Sequence, residues 1–181
     1  MAKHDPADIF VIAEQFRDAS KFLILAREHG WQTDVAMPAV TCAAFAMELF
    51  LKCLLAMETG KVPEIHDLRH LFNRLGKLSQ DKIRAYFAPY LPDVKEHVER
   101  QYLLGGQPPP PPLVDFDFVL NASRRAFPLA RYIYESGLPG GQGWIADGIM
   151  EAVRKTILDA HTDWKDARVA TPSVTRHFHS F

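Results

Sequence analysis

The stretch from Ala43 to Glu58, A-A-F-A-M-E-L-F-L-K-C-L-L-A-M-E, constrains the fold more than any other part of the chain. On a helix its residues are apolar on nearly every side, and Gly60 then supplies a stop. A helix this apolar must be buried over most of its circumference. The stretch therefore predicts a central helix against which the other parts of the chain pack.

Two charged residues, Glu48 and Lys52, lie inside this apolar run. They are four residues apart with the acid first, so their side chains meet on one face of the helix. The pair either reaches solvent at the edge of the core or is buried and matched. Because desolvation can offset the attraction of a buried pair, we expect it to fix how helices dock rather than to add much stability.

The rest of the chain has helical periodicity and no strand pattern or repeat, which predicts an all-α fold. The first helix follows Asp5 and ends at Gly30, and a short connector leads to a second helix that ends near Thr59. Two long helices with a short link should pack antiparallel. The apolar stripe predicted for the first helix is Ile9, Ile12, Ala13, Phe16, Ala19, Leu23 and Ala26.

Later helices are delimited by prolines, glycines and capping residues. A third helix opens at His66 and Asp67 and ends at Gly76, Ser79 caps a fourth, and Pro89 and Pro92 break the chain twice. The remaining predicted helices cover residues 93–103, 117–136 with a kink at Pro128, and 144–164 with an apolar stripe of Ile145, Ile149, Val153 and Ile157.

Between these helices, residues 105–112 read G-G-Q-P-P-P-P-P, which favours an extended polyproline segment. It is interpreted as an exposed, stiff connector, and the alternative is a ligand for SH3-type domains. Residues 1–165 are expected to form one domain, because 181 residues suffice for a single core. Residues 166–181 lack periodicity and are predicted to be a loosely ordered tail.

Composition and charge limit where the protein is expected to reside and what it is expected to bind. The net charge of −1 gives no global basic field that would recruit nucleic acid, so any RNA contact needs a local patch. Cys42 and Cys53 lie eleven residues apart on one helix, which rises about 16 Å over that length, too far for a disulfide. Reduced core thiols, no signal peptide pattern and no uninterrupted apolar run of about 18 residues predict a cytoplasmic protein without a membrane span.

The first candidate for chemistry is Arg154 with His161 on the last predicted helix. Seven residues turn a helix by about 700°, so the two side chains share a face about 10 Å apart. A guanidinium can hold a phosphate through paired hydrogen bonds, and an imidazole can move a proton near neutral pH. Together they could cleave a phosphodiester without a metal, and the alternative is two polar residues on a solvated face.

Two further sets of residues are weaker candidates for chemistry. His66 and His70 are four apart and could bind zinc, but Asp67 stands where metalloproteases carry Glu and no third ligand is evident, so no metal is predicted. The run Arg124, Arg125, Arg131, Tyr132 and Tyr134 mixes basic and aromatic side chains, which can contact a phosphate backbone and stack on bases. The alternative is that the tyrosines fill the core while the arginines pair with carboxylates.

Three segments together resemble the HEPN domain family: A-F-A-M-E-L-F-L-K-C-L-L at residues 44–55, H-D-L-R-H-L-F-N-R-L at residues 66–75, and the looser A-R-Y-I-Y-E at residues 130–135. The resemblance covers about residues 7–165. It implies an all-α, up-and-down bundle of four to five main helices, here with a Pro-rich connector, that forms a homodimer. It also implies cofactor-free, metal-independent endoribonuclease activity, often in toxin–antitoxin or defence systems beside a nucleotidyltransferase-type antitoxin.

The family motif is Arg, four to six residues, then His, on the last core helix, and Arg154 and His161 match it at its longest spacing. The resemblance implies that Arg154 holds the scissile phosphate and that His161 assists attack by the 2′-hydroxyl of the RNA at a site shared by two subunits. The residue after the Arg is usually Asn, Asp or His; here it is Lys155, which could add charge for RNA binding with Arg124, Arg125 and Arg131. Other members lack the motif, so the alternative function is a non-catalytic helical interaction or scaffold module.

Overall fold

The structure of the protein is a computed structural model, which describes residues 5–30, 35–104, 106, 113–127 and 147–165. The described residues contain helices and no strand, so the predicted all-α class is confirmed. The helices are α1 (Pro6–Glu28), α2 (Ala36–Thr59), α3 (Leu68–Asn73), α4 (Lys77–Phe87), α5 (Leu91–Leu104), α6 (Phe116–Ser123) and α7 (Asp147–Ala160), with a 3₁₀ turn at Ala88–Tyr90.

Local chemistry fixes several helix ends. Three helices begin after an aspartate whose carboxylate accepts a backbone N–H of the first turn, namely Asp5, Asp67 and Asp115. α2 ends at Gly60, whose φ of 68° is left-handed and whose N–H donates to the carbonyl of Ala56 at 2.8 Å. A side chain at Gly60 would strain that conformation, so the residue type and the helix end belong together.

α1 and α2 pack antiparallel, as predicted. The contacts run in opposite directions along the two helices: the Cys53 thiol donates to the Pro6 carbonyl at 3.2 Å, the Phe10 and Phe50 rings lie 5.7 Å apart, and the Phe16 and Phe45 rings lie 4.6 Å apart. Both cysteines are free thiols, and Cys53 is buried whereas Cys42 is partly exposed. Burial, with a smaller contribution from Asp5, raises the pKa of the Cys53 thiol to about 12, so it stays protonated and inert at neutral pH.

α2 is the core helix of the bundle. Leu51 and Cys53 have no exposed surface, although they are two residues apart and therefore point to nearly opposite sides of the helix. By length and composition alone α2 could cross a membrane, and it is the one such helix in the part of the chain that the structure describes. However, 67% of its most apolar stretch is buried inside the protein, as in the core helix of a globular domain.

α7 packs directly on α2 and α4. Ile149, Val153 and Ile157 are fully buried, which confirms those three positions of the predicted stripe. This packing orients the remaining sides of α7 and therefore sets where Arg154 and Lys155 project.

The predicted stripe of α1 was partly wrong. Phe10 is 1% exposed and anchors the helix, whereas Ile12 is 44% exposed and Ala19 is also exposed. The buried face of α1 is rotated because it includes two polar residues, Glu14 and Ser20. A hydropathy pattern places such residues outside, and the burial of Glu14 is explained only by its partner Arg154 on α7.

Several helix boundaries also differ from the prediction. α4 begins after Gly76 rather than at Ser79, because the Gly76 N–H is satisfied by the Glu58 carboxylate of α2 at 2.8 Å. One of the two breaks predicted at prolines is present, because α4 ends at Phe87 and Pro89 lies in the 3₁₀ turn that follows. The other is wrong, since Pro92 lies in the first turn of α5, where a proline N–H is not needed.

The helix predicted for residues 117–136 ends at Ser123. The chain turns at Arg124 and Arg125, and the Arg124 carbonyl accepts a hydrogen bond from the Leu68 N–H at 2.9 Å, which ties the turn to α3. The predicted kink at Pro128, the glycine-rich loop, most of the first connector and the Pro-rich segment, and the tail lie outside the described residues.

Gly148 provides a test of how α7 docks. A Cβ at this position would lie 2.8 Å from both Cβ and Cγ of Tyr90, closer than packed atoms tolerate. We expect Gly148→Ala to lower the free energy of unfolding by about 1–3 kcal/mol despite the better helix propensity of alanine. The matched control is Gly76→Ala, whose Cβ would make only ordinary contacts at 3.6 Å with Glu58. Equal stability of the two variants in urea denaturation would contradict the docking described here.

Candidate functional site

Arg154 projects from α7 toward α1, where Glu14 holds its guanidinium. The Arg154 Nε donates to Glu14 Oε1 at 2.6 Å, and Nη2 donates to Glu14 Oε2 at 3.1 Å. Glu14 is 3% exposed and the Arg154 side chain is 21% exposed. The pair is thus bidentate, with its carboxylate buried and its guanidinium partly open to solvent.

More ion pairs join the same two helices. Glu151 on α7 accepts hydrogen bonds from Arg17 Nε at 2.6 Å and from Lys21 Nζ at 2.9 Å. The Arg154 Nη1 lies 4.0 Å from Glu151, and Arg17 lies 4.0 Å from Glu14. Two carboxylates, Glu14 and Glu151, are therefore shared among three cations, and we call these five residues the α1–α7 ion network.

The charge state of this network is set by competing effects. Burial would raise the pKa of Glu151, but the hydrogen bonds from Arg17 and Lys21 outweigh it and hold that pKa below its usual range. Burial raises the pKa of Asp147, one turn earlier on α7, and nearby Lys21 opposes this rise. Glu151 is consequently ionised at neutral pH and keeps α7 tied to α1.

His161 follows the last residue of α7 and is linked to α1 through Trp164. Its N–H donates to the Ile157 carbonyl at 3.0 Å, and its ring stacks on Trp164 with centroids 4.2 Å apart. Trp164 in turn lies 5.4 Å from the Phe10 ring of α1. Phe10 is one helical turn before Glu14, so contacts to neighbouring turns of α1 anchor both His161 and Arg154.

Lys155 projects to another side of α7. Its Nζ lies 4.1 Å from the centre of the Tyr86 ring on α4, and the side chain is exposed. The Tyr86 hydroxyl donates to Asp159, and this hydrogen bond is the main cause that raises the pKa of Tyr86. Lys155 therefore faces α4 whereas Arg154 faces α1, and the two cations are not brought together.

Arg124 and Arg125 lie in the turn after α6. Arg124 Nε donates to Asp67 Oδ2 at 3.0 Å, and Arg125 is exposed. The described contacts of Arg124 lead to the start of α3 rather than to α7, so these arginines form a separate basic surface. Arg131 lies outside the described residues.

A second polar cluster lies on the other side of α2. Glu48 is 1% exposed and accepts hydrogen bonds from Lys52 Nζ at 2.8 Å, and it lies 2.9 Å from His66 Nδ1. Of the two alternatives for the Glu48–Lys52 pair, the structure has the buried and matched one. The carboxylate thus connects α2 with the segment that precedes α3, which is a docking role.

Metal binding by His66 and His70 receives no support from this geometry. His66 Nδ1 is engaged by Glu48, and His70 is exposed and contributes its backbone N–H to the cap of α3. Across the residues with a described position, no group of three or more His, Cys, Asp or Glu side chains is placed to hold a metal ion.

Comparison with known proteins identifies the family. The family model of the HEPN domain matches residues 12–103, just over half of the chain, and the protein therefore belongs to the HEPN family. No curated protein and no solved structure matches the chain significantly. The matched region includes α2 to α4 and most of α1 and α5, and it ends before α7, which carries Arg154 and His161.

The residues that sequence reasoning missed are Glu14, Arg17, Lys21 and Glu151. Helical spacing gave little signal for Glu14, because its neighbours one turn away are Phe10, Val11, Arg17 and Asp18, a mixture typical of a solvated face. A carboxylate that is nevertheless buried requires a cation as its partner. The identity of that cation, 140 residues away, was not accessible from local patterns.

The Glu48–Lys52 pair predicts an asymmetry between single and double substitution. Lys52→Met leaves a buried carboxylate short of a partner and should cost about 3–5 kcal/mol of unfolding free energy, whereas Glu48→Leu with Lys52→Met should cost much less. The exposed Lys77–Asp81 pair supplies the control, since Lys77→Met should change stability by less than about 1 kcal/mol. A double variant that is less stable in urea than the single variant would contradict the assignment.

Proposed function

We propose that this HEPN protein binds RNA and cleaves it without a metal ion, as a homodimer in the cytoplasm. The observation that carries the proposal is the state of Arg154, a partly exposed guanidinium fixed at the surface of α7 with His161 two turns further on. An arginine fixed in this way suits the dispersed charge of a phosphate, and a partly exposed imidazole suits proton transfer.

The reaction that fits these groups is an internal transesterification. His161 takes the proton of the RNA 2′-hydroxyl, whose oxygen attacks the adjacent phosphorus while Arg154 stabilises the added negative charge. The bond from phosphorus to the 5′-oxygen breaks, and water supplies the proton to that oxygen while His161 returns its proton to the solvent. The products are a 2′,3′-cyclic phosphate and a 5′-hydroxyl, and no oxidant, reductant or cofactor takes part.

Contacts outside the reacting groups would hold the rest of the RNA. Exposed Arg125 and the half-exposed Arg124 supply positive charge near α3, and Lys155 supplies it near α4. Arg131 belongs to the same proposal from its sequence alone. A toxin or defence role, with a nucleotidyltransferase-type antitoxin as partner, is the biological setting we propose for this activity.

A non-catalytic interaction module is the second candidate, and one specific observation favours it. Glu14 already satisfies Arg154, which is how a purely structural arginine would be bound. In that case the exposed apolar side chains Phe22, Ile24 and Leu25 on α1 would contact a protein partner. This alternative predicts a stable complex and no RNA cleavage at any protein concentration.

The catalytic proposal is tested with a single-stranded RNA substrate in the presence of a chelator. His161→Ala should lower the cleavage rate by about 10²–10⁴-fold and Arg154→Ala by about 10²–10³-fold. The controls are His70→Ala, an exposed histidine on α3, and Arg100→Ala, an exposed arginine paired with Glu96 on α5. Both controls should cleave at the wild-type rate.

Cleavage that survives in His161→Ala would assign the activity to a contaminant or to other residues. Absence of cleavage by the wild-type chain, with 2′,3′-cyclic phosphate ends undetectable, would leave the interaction module as the function.

A site shared between subunits makes a further prediction for mixed dimers. When Arg154→Ala and His161→Ala chains are unfolded together and refolded, the mixed dimers retain one arginine and one histidine on different subunits. We expect a cleavage rate at least about tenfold above that of either variant alone, because the two subunits complement each other. Sedimentation should show a dimer for each variant. A monomeric protein, or a mixture no more active than its components, would contradict the shared site.

A further inference from the structure

We infer that Glu14 is a positioning residue for Arg154, an inference that rests on the proposed RNA function. It fixes one edge of the guanidinium and leaves the other edge for a phosphate group of the RNA.

The guanidinium of Arg154 offers two edges to an acidic partner. An arginine can form paired hydrogen bonds through its side edge, Nε with one Nη, or through its end edge, Nη1 with Nη2. Glu14 occupies the side edge, with Nε at 2.6 Å and Nη2 at 3.1 Å. The end edge then retains N–H groups on both nitrogens. Among the residues that the structure describes, the carboxylate recorded nearest to this edge is Glu151, 4.0 Å from Nη1 and beyond hydrogen-bond distance.

Glu14 is buried more deeply than the guanidinium that it holds. The Glu14 side chain is 3% exposed whereas the Arg154 side chain is 21% exposed, so the carboxylate lies beneath the guanidinium and away from solvent. A phosphate arriving from solvent meets the guanidinium rather than the carboxylate. A buried carboxylate that cannot turn away fixes the plane of the guanidinium, which removes the rotamer entropy that a free arginine would lose on binding phosphate.

Positioning of Arg154 by Glu14 can be separated from simple cohesion of the two helices. Cohesion between α1 and α7 is also provided by Glu151, which takes two hydrogen bonds from Arg17 and Lys21. Glu151→Gln therefore weakens the same helix contact without removing a hydrogen bond from Arg154. It is the matched control for Glu14→Gln, which replaces one accepting oxygen with an amide NH₂ that cannot accept from the arginine.

The test measures kcat and KM on RNA at a temperature where each variant is folded, as verified by circular dichroism. We expect Glu14→Gln to lower kcat by about 10- to 100-fold and to raise KM by less than tenfold, because the misplaced guanidinium costs more in the transition state than in the bound state. Glu14→Asp, which keeps the carboxylate, should recover part of the rate. Glu151→Gln should lose stability but keep kcat within about threefold of the wild type.

Non-additivity separates positioning through Arg154 from any other effect. In an Arg154→Ala background, Glu14→Gln should lower kcat no further, because the group that it positions is already absent. A wild-type kcat in folded Glu14→Gln, or losses that multiply in the double variant, would overturn the inference while leaving the proposed cleavage intact.

Binding provides a readout that does not require cleavage. The wild type, Glu14→Gln, Arg154→Ala and the double variant are titrated with a non-cleavable oligonucleotide that has 2′-deoxyribose at every position. Equal losses of affinity in Glu14→Gln, Arg154→Ala and the double variant would support positioning even if the wild type does not cleave RNA. Additive losses would overturn it, and a wild type that neither cleaves nor binds would reject both the inference and the proposed function.

Discussion

Burial of α2 on nearly all sides is the constraint on which the rest of the structure depends. A helix whose exposed surface would be almost entirely apolar is stable only when its neighbours cover it. α1 lies antiparallel along it, α3 follows from it and α7 packs across it. The charges that α2 brings into the core are neutralised there, because Glu48 is matched by Lys52 and contacted by His66.

The consequence for function is that α7 is held from two sides by different forces. Its apolar side, with Ile149, Val153 and Ile157, is fixed against α2 and α4 by packing. Its polar side is fixed to α1 by the α1–α7 ion network, in which Arg154 and Glu14 form a bidentate pair. The arginine that we propose as the phosphate ligand is thus part of the scaffold and of the site at once, which preorganises it for binding.

The sequence predicted the fold class and the central helix because both follow from periodicity and composition. The caps at Asp5 and Asp67 and the stop at Gly60 were predictable for the same reason, since each acts within one helical turn. The start of α4 was not predictable, because the group that satisfies its Gly76 N–H is Glu58 on another helix.

The residues of the candidate site were likewise predictable where the signal is local and not where it depends on a distant residue. Arg154 and His161 were found from their residue types and spacing, whereas Glu14 was not, because its burial is explained only by a partner 140 residues away. Lys155 follows Arg154 directly in the chain, but successive residues on a helix point about 100° apart, and its side chain faces Tyr86 on α4. The roles of these side chains in RNA binding stay predictions.

The most direct test of this account is nuclear magnetic resonance of the arginine side chains in the full chain labelled with ¹⁵N. The Nε–H of Arg154, assigned through Arg154→Lys, should exchange with water more slowly than that of exposed Arg100, and it should persist when a 2′-deoxy oligonucleotide shifts the Nη resonances. An Nε–H that exchanges as fast as that of Arg100, or that is lost when the oligonucleotide binds, would show that Glu14 does not hold the arginine while phosphate occupies its other edge.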